Sequence, residues 1–341
     1  MSVRIACATL PLFPLAARLR SEPELTREAV AVVEGNGNAA RVVAATRLAR
    51  NAGVRPGLTL PQARALCPKL VARPRDEECE QAAQEALLEV AESYSPRVED
   101  AGDGVAFLDV EGIDRHFPGE CPERELGRSL IATADGAGLA VRVGIASSKL
   151  AAQIAAGLPD SPVIVPPGDE AGFLAPLPLT RLTPEVDLAE TLERWGVRTV
   201  GDFARLPKSQ VASRLGRTGR DLHATARGMD ARPLIPREPP PEFHEGMNLE
   251  WPLVSLEPFL FVGRAALERL CQRLESRGLA CTRLVLSLRL EPEGHQTRSI
   301  DLPAPTRDVK TLLTLIRLDL EANQPGAPVA GFTFTAHPDR P

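Results

Sequence analysis

The chain has 341 residues, 43% hydrophobic and 25% charged, which excludes a single small domain, a coiled coil and a wholly disordered polymer. Its 10 Phe, 2 Trp and 1 Tyr leave little for stacking bases on aromatic platforms. A formal net charge of −5 excludes a uniformly basic nucleic-acid binder.

Taken in chain order, Val3 to Ala8 reads as a short buried strand that ends in a proline-rich turn at Pro11 and Pro14. The mainly apolar stretch Ile5 to Ala17 has the length of a secretory signal core. Its two prolines, with Arg18 and Arg20 following, favour a buried strand and turn, so a cytoplasmic protein is expected. β-like runs at Ala29 to Val33 and Arg41 to Ala44 precede a short helix and a turn at Val54 to Gly57. Asp76 to Ser93 has helical spacing, with Ala83, Ala86, Leu87, Val90 and Ala91 on one face, and Pro96 ends it. A strand at Val105 to Val110, a helix over 122–138, a strand at Val141 to Ala146 and a helix at Lys149 to Gly157 alternate as in an α/β layer.

Between Pro166 and Arg232 the short amphipathic runs Leu188 to Trp195, Val200 to Leu206, Gln210 to Leu215 and Arg220 to Arg227 predict a compact all-α unit. Leu234 to Phe243, with Pro239, Pro240 and Pro241, predicts a stiff extended linker. Beyond it come a strand (Asn248 to Val254), a helix (Pro258 to Arg277), strands (Thr282 to Glu291, Thr297 to Leu302), a helix (Asp308 to Glu321) and a strand (Val329 to Ala336). That βαββαβ order places helices on an antiparallel sheet. No run reaches the roughly 18 apolar residues of a membrane span. Cys7, Cys67, Cys79, Cys121, Cys271 and Cys281 form no CxxC pair, and the five His lack zinc-ligand spacing, so reduced thiols and no metal are expected.

Charge is unevenly distributed. Residues 14–73 carry ten Lys/Arg against four Asp/Glu, a surplus of +6, whereas residues 74–156 carry seven against seventeen, a deficit of −10. Arg205, Lys208, Arg214, Arg217 and Arg220 follow one another without an acidic residue between Arg205 and Arg220. Such a patch can meet phosphates on an acidic protein, because screening confines each charge to about 10 Å at 0.1 M salt; a solvated helix face is the alternative.

Several strings occur in one order: SPRVED with AGDGVAFLDVEG (Ser95 to Gly112), VRVGIASSKLAAQIA (Val141 to Ala155), LERWGVRTVGDFARL (Leu192 to Leu206) and ARGMDARPL (Ala226 to Leu234). Together they resemble the Y-family translesion DNA polymerases. The resemblance implies a multidomain fold of α/β and α+β parts. Its right-hand-like palm would take residues 1–13 and 74–156, its fingers 14–73, and its all-α helix-hairpin-helix thumb 157–232. A linker over 233–243 would lead to a βαββαβ little finger over 244–337. The family's two Mg²⁺ ions are held by a carboxylate pair on the first strand and an adjacent Asp-Glu pair on a later hairpin, because two-metal phosphoryl transfer needs hard oxygen ligands. Those positions fall on Ala8, Leu10, Gly104 and Val105, all without a side-chain oxygen. Asp103 lies one residue away, and a one-residue slip would turn it to the opposite face.

Other positions implied by the resemblance are retained. Phe13 matches the aromatic that screens the sugar 2′ position, and Arg50 and Lys149 match triphosphate contacts, although the neighbouring Tyr position is Arg47. They are expected as vestigial nucleotide-binding residues or as residues that hold the fold. In the thumb, RLGRTGRDLHATARG keeps Gly216 and Gly219 for close backbone approach to phosphates, with Arg214, Arg217 and Arg220 around them. The other hairpin position, RLTPEVD (Arg181 to Asp187), carries Glu185 and Asp187, so one working hairpin is expected. In the little finger, Arg283 and Arg289 share a strand face and Arg298 begins the next strand. They are expected either to grip phosphates or to pair with Glu291, Glu293 or helix acids.

A polymerase frame with erased acids resembles the ImuB group of the family, subunits of a bacterial mutagenesis cassette. That likeness implies a non-catalytic DNA-binding scaffold, without cofactor, in the cytoplasm and associated with the nucleoid. It would hold primer–template DNA without sequence preference and recruit an ImuA-type protein, an error-prone C-family DNA polymerase and the sliding clamp. No clamp-binding peptide of the Gln-x-x-Leu-aromatic kind follows Pro325, and a tail beyond Pro341 is left open. Two alternatives stand beside it: an active polymerase using Asp103, Asp109 or Glu99 as metal ligands, and a protein-interaction hub that does not touch DNA.

Overall fold

The computed structural model describes residues 3–339 apart from 114, 115, 118, 183–185, 231 and 239–242. In chain order the elements are β1 (Ile5–Thr9), α1 (Phe13–Ser21), β2 (Val30–Glu34), β3 (Arg41–Ala45), α2 (Arg47–Asn51), α3 (Leu60–Leu66), β4 (Val71–Pro74) and α4 (Glu77–Glu92). There follow β5 (Val98–Gly102), β6 (Val105–Asp109), α5 (Pro122–Gly136), β7 (Arg142–Ala146), α6 (Lys149–Ala156), β8 (Val163–Ile164), α7 (Glu170–Leu174), α8 (Val186–Arg194), α9 (Val200–Ala204) and α10 (Lys208–Ala226). The last part holds β9 (Phe243–Leu253), α11 (Leu256–Ser276), β10 (Ala280–Leu290), β11 (His295–Thr306), α12 (Val309–Ala322) and β12 (Val329–Asp339). The turn expected at Pro11 and Pro14 is short, because Pro14 sits in the first turn of α1, where its missing N–H costs no helical bond.

The chain divides into two compact units. One comprises residues 1–11, 87–136 and 140–237; the other comprises residues 12–86, 137–139 and 238–341. Most of the expected palm and the thumb range fall in the first, and the fingers and little-finger ranges fall in the second.

In the first unit a five-stranded sheet runs β5-β6-β1-β7-β8, with β1 antiparallel to both β6 and β7. The unbroken small apolar run of β1 suits a central strand buried on both faces. Helix α6 lies against β1 and β7, its Ala151, Ala152, Ala155 and Ala156 packed with Ile5, Cys7 and Phe107. Its close approach explains the Gly of the GIA string. A Cβ on Gly144 would lie 2.3 Å from Ala152 O and from Ala156 N. Helices α7 to α10 surround a separate core of Leu174, Leu179, Leu192, Val200, Phe203 and Val211. Buried His223 holds α10 to α9, its Nε2 2.9 Å from Leu206 O and its ring edge-on to Phe203. The two runs expected at Gln210 to Leu215 and Arg220 to Arg227 are the halves of α10, bent at Gly216.

The segment expected as a linker begins tied down. Arg237 N donates to Val98 O (2.8 Å) and Arg237 pairs with Glu92 (2.8 Å), which covers the free edge of β5. Residues 239–241, the proline run, lie outside the described residues.

In the second unit β3-β2-β4 form a small sheet over Val30, Val32 and Ala44, and β11-β10-β12-β9 form an antiparallel one. Helices α11 and α12 cover one face of the latter. There Leu284, Leu286, Leu288, Phe332 and Phe334 are buried, and the Phe259 ring lies edge-on to Phe332 at 5.3 Å. Wholly buried Glu245 of β9 accepts from Arg20 (2.8 Å), Arg273 (2.8 Å) and Arg269 (3.0 Å), which fastens α1 to this sheet. Burial alone would raise the Glu245 carboxyl, but Arg20, Arg273 and Arg269 overcome it and hold the group well below the usual carboxylate range. Among the described residues no helix is long and apolar enough to cross a membrane.

Candidate nucleic-acid interface and palm site

The four positions where the family's metal ligands are expected lie at one end of β1 and β6 in the first unit, with Ala8 on one face of the sheet and Val105 on the other. Ala8 is fully buried on β1, opposite Ala106 of β6 and Val143 of β7. Leu10 is 2% exposed, and its N–H donates to Gly104 O at 2.7 Å. Val105 packs on the cluster of Ile5, Cys7 and Phe107. Asp103 and Gly104 are the two residues of the β5–β6 turn, both with positive φ (48° and 75°), the arrangement a tight Asp-Gly hairpin requires. Gly104 thus makes the turn at a position where the resemblance implies a carboxylate, and Asp103 is exposed at the tip. Asp109 is four residues beyond Val105, at the far end of β6; it accepts from Arg97 (2.7 Å) and from Glu111 N (3.0 Å). These residues do not fit a magnesium pair.

Glu99 and Lys149 meet each other. The Lys149 ammonium donates to both Glu99 oxygens (2.5 and 2.6 Å) and to Pro233 O (2.9 Å), and it lies 5.2 Å from the centre of the Phe107 ring. Glu99 also accepts from Ile235 N at 2.6 Å. Side-chain exposure is 7% for Lys149 and 15% for Glu99. The start of α6 is occupied as well, since Asp230 accepts from Leu150 N (3.1 Å) and pairs with Arg232 (2.7 Å). In this arrangement the lysine expected at a triphosphate is held by the chain's own carboxylate, and the ARGMDARPL string provides the clasp.

Phe13 is buried at the first position of α1. Arg50 and Arg47 are exposed on α2, and among the described residues no carboxylate pairs with Arg50.

The thumb patch is presented outward. Gly216 has φ 64° and ψ −146°, a backbone region open essentially to glycine, and it bends α10 into two arms. Arg214, Arg217 and Arg220 are exposed around the bend, as are Lys208 at the helix start and Arg205 before it. Arg205 pairs with Asp202 at 3.0 Å, and Arg217 stands 3.8 Å from Asp221. Arg214 lies over the Trp195 ring at 5.2 Å, a restraint on that guanidinium that charge reading alone does not reveal. Gly219 is buried against Leu215 and so packs the two arms together. Residues 183–185 of the other hairpin position lie outside the described residues.

On β10, Arg283 and Arg289 share the open sheet face with Val285 and Ser287. Arg283 pairs with Asp301 (2.6 Å), and Arg289 donates to Asn248 Oδ1 (2.7 Å) and Ala330 O (2.9 Å). Arg298 corrects the expectation of a shared phosphate grip. It sits opposite buried Leu286, turns to the helix side and pairs with Asp319 of α12 at 2.9 Å. One of the two readings held for these arginines, pairing with a helix acid, applies to Arg298.

Comparisons with known proteins agree on the family. The model of the impB/mucB/samB family matches residues 10–157, and that of its C-terminal domain matches residues 248–337. DNA polymerase IV of Methanoculleus marisnigri is 30% identical over 303 residues, 86% of this chain and 82% of that protein. DNA polymerase IV of Desulfatibacillum aliphaticivorans is 29% identical over 310 residues, 89% and 76%. Protein ImuB of Caulobacter vibrioides is 30% identical over 275 residues, 80% of this chain but 59% of that protein. The fold matches the crystal structure of DinB from Sulfolobus solfataricus (TM-score 0.56) and a Y-family DNA polymerase chimera, Dbh-Dpo4(243-245)-Dbh (0.60). Each is 16% identical, with 98% of both chains covered. With both family regions matched and the fold shared along its length, the chain belongs to the impB/mucB/samB family of Y-family polymerase-like proteins.

Proposed function

We propose that the chain is a non-catalytic, polymerase-like DNA-binding scaffold in mutagenic translesion synthesis. The observation that carries this reading is the palm end of β1 and β6: Ala8, Leu10, Gly104 and Val105 supply methyls, a turn and no oxygen ligands in a polymerase-like fold. DNA contact is supported by the outward cations of the thumb, with Arg214, Arg217 and Arg220 set around the Gly216 bend. Contacts of this kind reach backbone phosphates and carry no base readout, so the bound DNA is recognised without sequence preference. Likeness to Protein ImuB extends the proposal to recruitment of an ImuA-type protein, an error-prone C-family polymerase and the sliding clamp, in the cytoplasm at the nucleoid. A second reading, an active polymerase, is favoured by the name DNA polymerase IV carried by other relatives.

Salt-titrated binding of a primer–template duplex tests DNA holding. Log affinity is expected to fall linearly with log salt, and Arg214→Glu with Arg217→Glu and Arg220→Glu to flatten the slope by about three. Binding without salt dependence, or a triple variant with the parent slope, would favour the interaction hub.

A further inference from the structure

The covered side of the β9–β12 sheet carries a groove that DNA holding leaves unused. It is an open trough of about 460 Å³ between α11 and α12. Both walls repeat one pattern. On α11, Glu257, Leu260 with Phe261, and Arg264 follow at i, i+3/i+4 and i+7; on α12, Lys310, Leu313 with Thr314, and Arg317 do the same. Two facing stripes of this kind leave room for a third helix laid between them. Phe261 is 80% exposed in the groove, beside buried Leu260 and half-buried Leu313. A large aromatic so exposed marks a contact surface when other apolar side chains adjoin it.

The flanks say what fits. Arg264, Lys310 and Arg317 border the apolar floor, against one acid, Glu257, which is 3.5 Å from Arg317. Among the described residues no carboxylate pairs with Arg264, while Lys310 stands near Asp308, whose carboxyl it helps to hold down. We propose that this groove receives an acidic amphipathic helix of a partner protein, about two turns long, with apolar side chains at i and i+3/i+4 and carboxylates on both flanks. The stripes span eight residues each, hence roughly 10 Å of helix. Arg283 and Arg289 lie on the opposite face of the same sheet, so a helix in the groove leaves them uncovered. The inference deepens the recruiting half of the scaffold reading and rests on it only there.

The test uses the full chain and a fluorescein-labelled helical peptide of roughly 14 residues, with Leu at the anchor positions and Glu at the flanks, against a scramble of the same composition. Anisotropy is expected to give a Kd of roughly 10 μM for the patterned peptide and at least about tenfold weaker binding to the scramble and to Phe261→Ala. Arg264→Glu with Lys310→Glu is expected to switch preference to a Lys-flanked peptide. Equal binding of patterned and scrambled peptides, or none, overturns the proposal. Concentration-dependent self-association that Phe261→Ala removes overturns it in favour of a second copy of this chain. Duplex binding measured on the same samples keeps the two readings apart: peptide failure with DNA binding intact sinks only the groove, and DNA failure with peptide binding intact sinks only the DNA-holding scaffold.

Discussion

Removing one partner of the Glu99–Lys149 pair strands a charge inside the first unit, and the two removals are unequal. At 2.6 Å and an effective dielectric of 20 the gross attraction is ~6 kcal/mol, much of it offset by the desolvation of both groups. Glu99→Gln leaves an ammonium that is 7% exposed with the Pro233 carbonyl and the Phe107 ring, at a cost of about 3 kcal/mol. Lys149→Met leaves a carboxylate that is 15% exposed and keeps the Ile235 N–H, so about 2 kcal/mol is expected. The double variant strands nothing and should also cost about 2 kcal/mol, which makes the coupling near 3 kcal/mol. Scanning calorimetry should show the Glu99→Gln transition of this unit lowered by roughly 6–12 °C, at about 2–4 °C per kcal/mol for a unit of this size. Additive single variants, or a Glu99→Gln Tm within about 1 °C of the parent, would refute the idea that the lysine is held by this carboxylate.

Other residues make equally direct predictions. Ala8→Asp places a carboxylate against Ala106 and Val143 in a fully buried position, so a loss of about 3–5 kcal/mol in urea unfolding is expected, and a change under about 1 kcal/mol would mean the position is wet. Glu245 has a folded-state pKa below its unfolded one, so its contribution is present above roughly pH 4.5 and is lost as pH falls below it. Glu245→Gln should be less stable at pH 7 and lose less on acidification, and an unchanged acid slope would count against the three-arginine cluster. Gly216→Ala forces a side chain into a glycine-only backbone region and should cost about 1–3 kcal/mol while weakening duplex binding; a variant equal to the parent in both would remove the hairpin from the account. Cys121 is exposed and the other five thiols are buried, so a thiol reagent should titrate one group fast and five only after denaturation.

Legibility followed the range of the interactions. The alternation of β10 was plain in the sequence, and it placed Arg283 and Arg289 on one face. β11 is an edge strand whose inward positions run Gln296, Arg298, Ile300 and Leu302, so only the last two mark that side as apolar, and pairing with β10 shows that Arg298 shares it. The absence of side-chain oxygens at Ala8, Leu10, Gly104 and Val105 was legible by position, and so, in principle, was the Asp-Gly turn at Asp103 and Gly104. Glu99 and Lys149 lie fifty residues apart, and Asp230 reaches the start of α6 across eighty, so neither clasp has a local signature. Trp195 under Arg214 and Glu245 among three arginines are tertiary in the same way.

Primer extension bears most directly on the palm. With a primer–template, all four nucleotides and Mg²⁺ or Mn²⁺, a palm carrying Ala8, Leu10, Gly104 and Val105 is expected to add no nucleotide while the duplex stays bound. Template-dependent extension that disappears in Asp103→Ala would contradict the account.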